Sequence, residues 1–328
     1  ESTKGIVKLD WNINDNNRLA VIYNWLDASK EKPAHPTALG SRGPSFQTLQ
    51  FENSGYQINN KLQSVQLELN STLSDEMTNK LQIGYTHFDD FRDPLSKPAP
   101  VITIQDGAGS NYIIAGHEPF SINNVLDQKV FQFSNNMTIS KANHTYTIGF
   151  SFEKFEFDNS FNLGAYGYSN ANGYVGAFGA FGSVNDFLTA STNGLLSEAL
   201  SNAKNVKNAD SWALAETNVG QLAFYLQDEW DVNDKFKLTY GVRFDKPLFF
   251  DSAQKAQDVI DVSFYQPEIP YVNPNTGQVQ LLDSTQLPSN DWLVSPRVGF
   301  NYDVKGDSTI QLRGGSGLFT GRFPFVWL

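Results

Sequence analysis

The chain has 328 residues and a net charge of −11, with 24 Lys and Arg against 35 Asp and Glu. That balance argues against a nucleic-acid partner, which needs clustered cations to meet phosphates. Cysteine is absent, so disulfides, thiolate metal sites and cysteine nucleophiles are excluded. Aromatic residues make up 13% of the chain, too many for a disordered polymer. No apolar run reaches the roughly 18 residues that a transmembrane helix needs. Residues 1–10 also lack the basic-then-apolar order of a signal peptide. Any membrane crossing must therefore be made by strands.

Period-two alternation predicts such strands in antiparallel pairs along the whole chain. In the first pair Val7, Leu9, Trp11 and Ile13 alternate with polar residues, and Leu19, Val21, Tyr23 and Trp25 return after a turn at 14–17. The second has Val65, Leu67 and Leu69, then Leu81, Ile83 and Tyr85. The third has Phe131, Phe133, Met137 and Ile139, then Tyr146, Ile148, Phe150 and Phe152. The fourth has Leu222, Phe224, Leu226, Trp230 and Val232, then Phe236, Leu238, Tyr240, Val242 and Phe244. The last has Val294, Val298, Phe300 and Tyr302, then Ile310 and Leu312.

Register is predicted for the fourth pair. A two-residue turn at 233–234 would set apolar residues opposite polar ones. Centring a three-residue loop on Asn233 instead pairs Trp230 with Phe236, Leu226 with Tyr240, Glu229 with Lys237, and Tyr225 with Gly241.

Connections within pairs are short, while those between pairs are long, at 27–60, 88–128, 156–219 and 246–291. Soluble domains seldom repeat structureless loops of this size. Outer-membrane barrels do, with short periplasmic turns and long extracellular loops. The alternate face carries Gln66, Glu68, Gln82, Gln132, Thr147, Lys237, Arg243 and Arg297, which suits a hydrated lumen or a polar plug. Aromatics such as Trp11, Trp25, Trp230 and Trp292 sit near strand ends, where interfacial girdles form. Asp228 falls on the apolar side; a bulge turning it inward or a place near the interface would each accommodate it. The expected fold is all-β: an antiparallel transmembrane β-barrel segment of about ten strands, one domain over 1–328.

Several segments carry a family resemblance. Residues 220–245, GQLAFYLQDEWDVNDKFKLTYGVRFD, resemble the mid-barrel hairpin of TonB-dependent receptors. Residues 295–328, SPRVGFNYDVKGDSTIQLRGGSGLFTGRFPFVWL, resemble a segment of Oar-like receptors, particularly those of Bacteroidota. The opening VKLDWNINDNNRLAVIYNW, GHEPFSINNVLDQ at 116–128 and HTYTIGFSFE at 144–153 resemble the same group. The resemblance implies a bacterial outer-membrane barrel of about 22 strands closed around a plug. Its implied work is energised passage of an extracellular ligand, coupled through the plug to the TonB-ExbB-ExbD system. On this reading plug and TonB box lie outside the chain, which forms the middle of a barrel with strands missing on both sides. An open edge in lipid would leave N–H and C=O groups without partners. A structural anchor, or a docking partner in a larger envelope assembly, is the alternative of a different class.

Residues 159–182, NSFNLGAYGYSNANGYVGAFGAFG, form a Gly/aromatic loop segment in which Tyr166, Tyr168, Tyr174 and Phe178 are candidates for stacking on a sugar or peptide. The plainer alternative is a loop packing on its neighbours. Asp89, Asp90 and Asp93 offer close-spaced oxygens for Ca²⁺, but lack the EF-hand pattern, so no metal or other cofactor is expected. His87 beside Asp89 and Asp90 is the sole catalytic candidate, and no GxSxG elbow accompanies it; an enzyme is not expected. Gly314, Gly315 and Gly317 lack the Lys-Ser/Thr of a phosphate loop and read as strand bending or close backbone approach.

Overall fold

The computed structural model describes residues 1–33, 47–97, 101–118, 121, 124–160, 180–192, 194, 215–250, 269–274, 276–282 and 289–321. In chain order the elements are β1 (Ser2–Asn14), β2 (Asn17–Lys32), β3 (Leu49–Gln50), a 3₁₀ turn (Glu52–Ser54), β4 (Tyr56–Ser74), β5 (Met77–Pro94), β6 (Val101–Gln105), β7 (Asn111–Gly116), β8 (Val125–Lys141) and β9 (His144–Ser160). There follow α1 (Val184–Thr192), β10 (Ala215–Asn233), β11 (Phe236–Leu248), β12 (Ile269–Val272), β13 (Val279–Leu282), β14 (Leu293–Asp303) and β15 (Gln311–Gly317). Ten of these strands form one sheet in the order β1-β2-β4-β5-β8-β9-β10-β11-β14-β15. Every neighbouring pair in it is antiparallel. It is an up-and-down meander, the all-β arrangement expected from the alternation.

Three of the tight turns use the same chemistry. Asn14 Oδ1 accepts the Asn16 N–H at 3.0 Å, Ser74 Oγ accepts Glu76 N–H at 3.3 Å, and Asn233 Oδ1 accepts Lys235 N–H at 2.9 Å and Phe236 N–H at 3.0 Å. A short polar side chain before an Asp thus closes its own turn. In each, the residue before the closing one (Ile13, Leu73, Val232) is skipped in the ladder. That bulge restores the parity which a two-residue turn would otherwise spoil.

The fourth pair corrects the expected register. The turn is 234–235 with a bulge at Val232, so Trp230 faces Leu238, Asp228 faces Tyr240 and Leu226 faces Val242. The shift is two residues, so each side chain keeps its expected face. Adjacent hairpins are also tied along the rim. Asn16, Glu76, Asn143 and Lys235 carbonyls each accept an N–H from the next hairpin (Thr72, Ser140, Asp231, Asp303), all at 2.8 Å.

Polarity of the two faces is set by height. Along most of each strand the outward face is apolar and open to its surroundings: Leu9, Val65, Tyr85, Ile148, Leu226, Val298 and Leu312 are all exposed. Above that belt the outward row becomes charged, running through directly paired Asp27, Lys61, Asp89, Asp127, Asp158 and Glu216. The inward row at the same height becomes apolar, with Phe155 and Val219 buried and Phe155 stacked on Phe157 at 6.0 Å. The strands therefore outrun the bilayer. A span needs about 9–11 residues, whereas β4 has 19 and β5 has 18. The expected loops begin too early for this reason: 88–128, for example, includes the last turns of β5 and the first of β8.

Beyond the sheet edge the connections carry their own structure. β3, β7 and β6 form a three-stranded sheet, with β3 parallel and β6 antiparallel to β7. Phe181 adds to the free side of β6. Helix α1 follows, its first turn capped by Ser183, whose Oγ accepts Asp186 N–H at 3.2 Å. β12 and β13 form a separate hairpin.

Candidate functional site

The inward face of the sheet carries the polar rows of the ten strands. Many of its polar residues are bonded to one another, several across strands. Ser64 and Thr86 hydroxyls lie 2.9 Å apart, Gln82 Nε2 donates to Glu68 at 3.0 Å, and Lys80 pairs with Glu68 at 3.0 Å. Gln132 Nε2 donates to Glu153 at 2.7 Å. Further along, Asp245 is 1% exposed and accepts from Gln221 at 2.6 Å and from Arg243 Nε at 2.9 and 3.1 Å. Arg243 also reaches Ser151 Oγ at 3.3 Å and stacks its guanidinium over Tyr225 at 5.2 Å. A buried carboxylate is tolerated here because a fixed cation and an amide both meet it.

Near the periplasmic turns the wall opens into a cavity of about 900 Å³ lined mainly by amides and hydroxyls, among them Asn12, Asn70, Asn136, Thr72, Thr78 and Thr138. Amides and hydroxyls both donate and accept, so this basin matches polar solutes and polypeptide backbone better than apolar ones. At the outer end β3, β7, β6 and α1 pack together as a cap. His117 is fully buried and its Nδ1 lies 2.9 Å from Ser96 Oγ. Glu118, 1% exposed, accepts from Ser121. Burial pushes the Tyr56 hydroxyl above its ordinary range; Arg92, stacked over its ring, opposes this and Glu118 adds to it.

The expected site residues fare differently. Tyr166, Tyr168, Tyr174 and Phe178 lie outside the described residues. Asp89 and Asp90 are divided between the two faces of β5, since Asp89 pairs with Asp127 in the outward row and Asp90 with Leu126 in the inward one. Among the described residues no group of three or more His, Asp or Glu side chains is placed to hold a metal. His87 Nε2 lies 2.9 Å from Asp127 Oδ1 on the outward face, away from Asp90. Gly315 and Gly317 do mark close backbone approach: a Cβ there would lie 2.8 Å from Val298 O and 2.9 Å from Pro296 O.

Asp228 stays on the outward face, near the periplasmic end, and no bulge turns it in. His144 Nδ1 lies 2.8 Å from its Oδ2 and Tyr240 OH donates to the same oxygen at 2.7 Å. The His144 ring is stacked on Tyr146 at 5.5 Å and on Trp230 at 5.4 Å, so rings screen the carboxylate from lipid. This cluster was legible only as an exception to the alternation, because its partners lie 84 and 12 residues away.

Comparison with known proteins agrees with this architecture. A family model described as an outer membrane beta barrel domain matches residues 1–326. No curated protein sequence matches the chain. Among solved structures, the copper transporter OprC superposes with a TM-score of 0.54 at 13% identity, covering 99% of this chain and 38% of that one. The outer membrane transporter YddB from Escherichia coli gives 0.48 at 11% identity, with 96% and 31% covered. The siderophore receptor PiuA from Acinetobacter baumannii gives 0.44 at 13% identity, with 92% and 40% covered. The chain thus spans about two fifths or less of the structures it matches, and its sheet has the fold of part of the OprC structure. An apolar outward belt, a bonded polar inner wall and a family match over nearly every residue lead to one conclusion: the chain belongs to the outer membrane β-barrel family.

Proposed function

We propose that this chain is a stretch of the ligand-passing wall of a TonB-dependent outer-membrane receptor of the Oar-like group, in Bacteroidota. The observation that carries the reading is the inner wall, where Asp245, Arg243, Gln221 and Ser151 are bonded to one another. Where its charges are already paired in this way, the wall offers a moving polar solute or plug many weak contacts and few deep traps. A membrane anchor has no need of such a lining. In the full receptor a plug joined to TonB-ExbB-ExbD would open the route, and the extracellular loops would capture a ligand. The sequence resemblance of residues 220–245 and 295–328 supports this coupling, and the likeness of fold to the copper transporter OprC supports the barrel that it needs.

The test uses the full-length receptor in lipid nanodiscs and the purified periplasmic domain of TonB from the same cell, with binding followed by interferometry. Saturable binding that is lost on deleting the segment before the plug is expected. No binding to the intact receptor would remove the transporter reading and leave the anchor.

A further inference from the structure

The cap contains a strand contact that the barrel does not require. Phe181 N–H donates to Thr103 O at 2.9 Å, Gln105 N–H donates to Phe181 O at 2.8 Å, and Gly107 N–H donates to Gly182 O at 3.0 Å. The two bonds of Phe181 are those of a parallel pairing, and Ile104 with Phe181 forms an isolated parallel bridge. Two residues therefore satisfy main-chain groups of β6 at Thr103 and Gln105 and of Gly107 in the turn that follows. The Phe181 ring meets Phe187 of α1 edge-on at 5.3 Å, and a Cβ on Gly182 would come 3.1 Å from Asp186 Oδ2.

We propose that this edge of β6 is a binding site for extended polypeptide, held in the resting state by the chain's own residues 181–182. The inference rests on the reading that these loops face the exterior and receive ligand; it adds the class of that ligand. Strand addition supplies affinity through main-chain bonds and selectivity through alternate side chains. Thr103 is 1% exposed and Ile104 5%, so the edge lies inside the cap. Departure of residues 181–182 alone would leave buried main-chain groups without partners, which is costly. An incoming backbone restores each bond, so exchange is favoured over simple opening. Among the described residues the contact is made by two residues and three bonds, whereas a ligand of five or more residues could add bonds along the strand. The seat selects an aromatic side chain beside Phe187, followed by a small residue where Gly182 now lies.

The test uses the full-length receptor in nanodiscs and a fluorescent synthetic peptide with the sequence of residues 180–187, AFGSVNDF. Phe181→Pro removes the N–H that bonds Thr103 and so weakens the internal strand. Hydrogen exchange at Gln105 and Gly107 reports its release, and fluorescence anisotropy reports binding. Expected are faster exchange at both amides in the variant and peptide binding about tenfold tighter than to the parent. Binding should fall when the peptide's first Phe is replaced by Ala or when its Ala-Phe amide, whose N–H takes the place of the Phe181 donor to Thr103, is N-methylated. Unchanged exchange in the variant would overturn the contact as a releasable strand. Faster exchange without peptide binding would overturn polypeptide as the ligand. Neither readout involves TonB, so a failure of energised uptake would count against the transporter reading and leave this site standing.

Discussion

Tyr225 lies flat across Gly149 on the neighbouring strand: a Cβ on Gly149 would sit 2.0 Å from the tyrosine ring. The same tyrosine donates its hydroxyl to Asn136 on β8 and carries the Arg243 guanidinium of β11 on its face. One side chain thus links four strands at the inner wall. Gly149→Ala should displace the ring and cost about 1–3 kcal/mol. Gly84→Ala is the control, because its Cβ would meet only Gln132 atoms, at 3.6 and 3.8 Å. Urea unfolding in detergent should show a clear drop for the first and little change for the second; equal midpoints would remove the aromatic cover as a stabilising device.

Facing can be tested by charge. Leu226 is exposed on the outward face, and an arginine there, deep in the hydrocarbon, should cost about 2–4 kcal/mol. Thr239 points inward, opposite Glu229, so Thr239→Arg should be tolerated. Heat-modifiable migration on gels measures the folded fraction, and equal loss at both positions would contradict the assigned faces.

The carboxylate of Asp228 is tied to the rings of His144 and Tyr240. Removing one partner leaves a buried group underbonded, so His144→Ala should destabilise by about 3 kcal/mol. Replacing both Asp228 and His144 by Leu should cost less than His144→Ala alone, since no charge is then left behind. A double-mutant cycle showing simple additivity would mean that the two do not interact in lipid.

The cap turn at 106–110 has its own pH dependence. Asp106 accepts the N–H groups of Ala108 at 2.8 Å and Ser110 at 3.1 Å, and these bonds hold its carboxyl below the ordinary 3.8. Folding lowers this pKa, so the turn's contribution is complete at neutral pH and is lost only as pH falls past that ordinary value and through the depressed one. Amide protection at Ala108 and Ser110, corrected for intrinsic exchange, should be flat down to about pH 5 and fall below it. A loss centred near neutrality would point to another group.

How much of this was legible depends on what each signal reports. Alternation located the ten strands and their faces, because hydrocarbon on one side and polar wall on the other impose it on every residue. It ended strands too early. At Phe88 the inward residue becomes apolar and at Asp89 the outward one becomes charged, so the pattern inverts and looks like a loop although the backbone continues. Register at 233–236 was misjudged by two residues because the bulge at Val232 leaves no mark on polarity. The aromatic cover over a glycine was foreseen, but on Gly241 of β11 and not on Gly149 of β9, since only hairpin neighbours were compared. The internal strand at Phe181 joins residues 77 apart in number from Ile104, and nothing local announces it.

The central claim is that each strand meets lipid on one side up to a definite height and water above it. The chain has no cysteine, so single cysteines along β5 can carry a spin label in a native bilayer, with oxygen and a nickel chelate as apolar and polar relaxants. Positions 81, 83 and 85 should favour oxygen, while 82, 84, 87 and 89 should favour the chelate. The same preference at 83 and 84, or oxygen preference continuing through 87 and 89, would contradict the account.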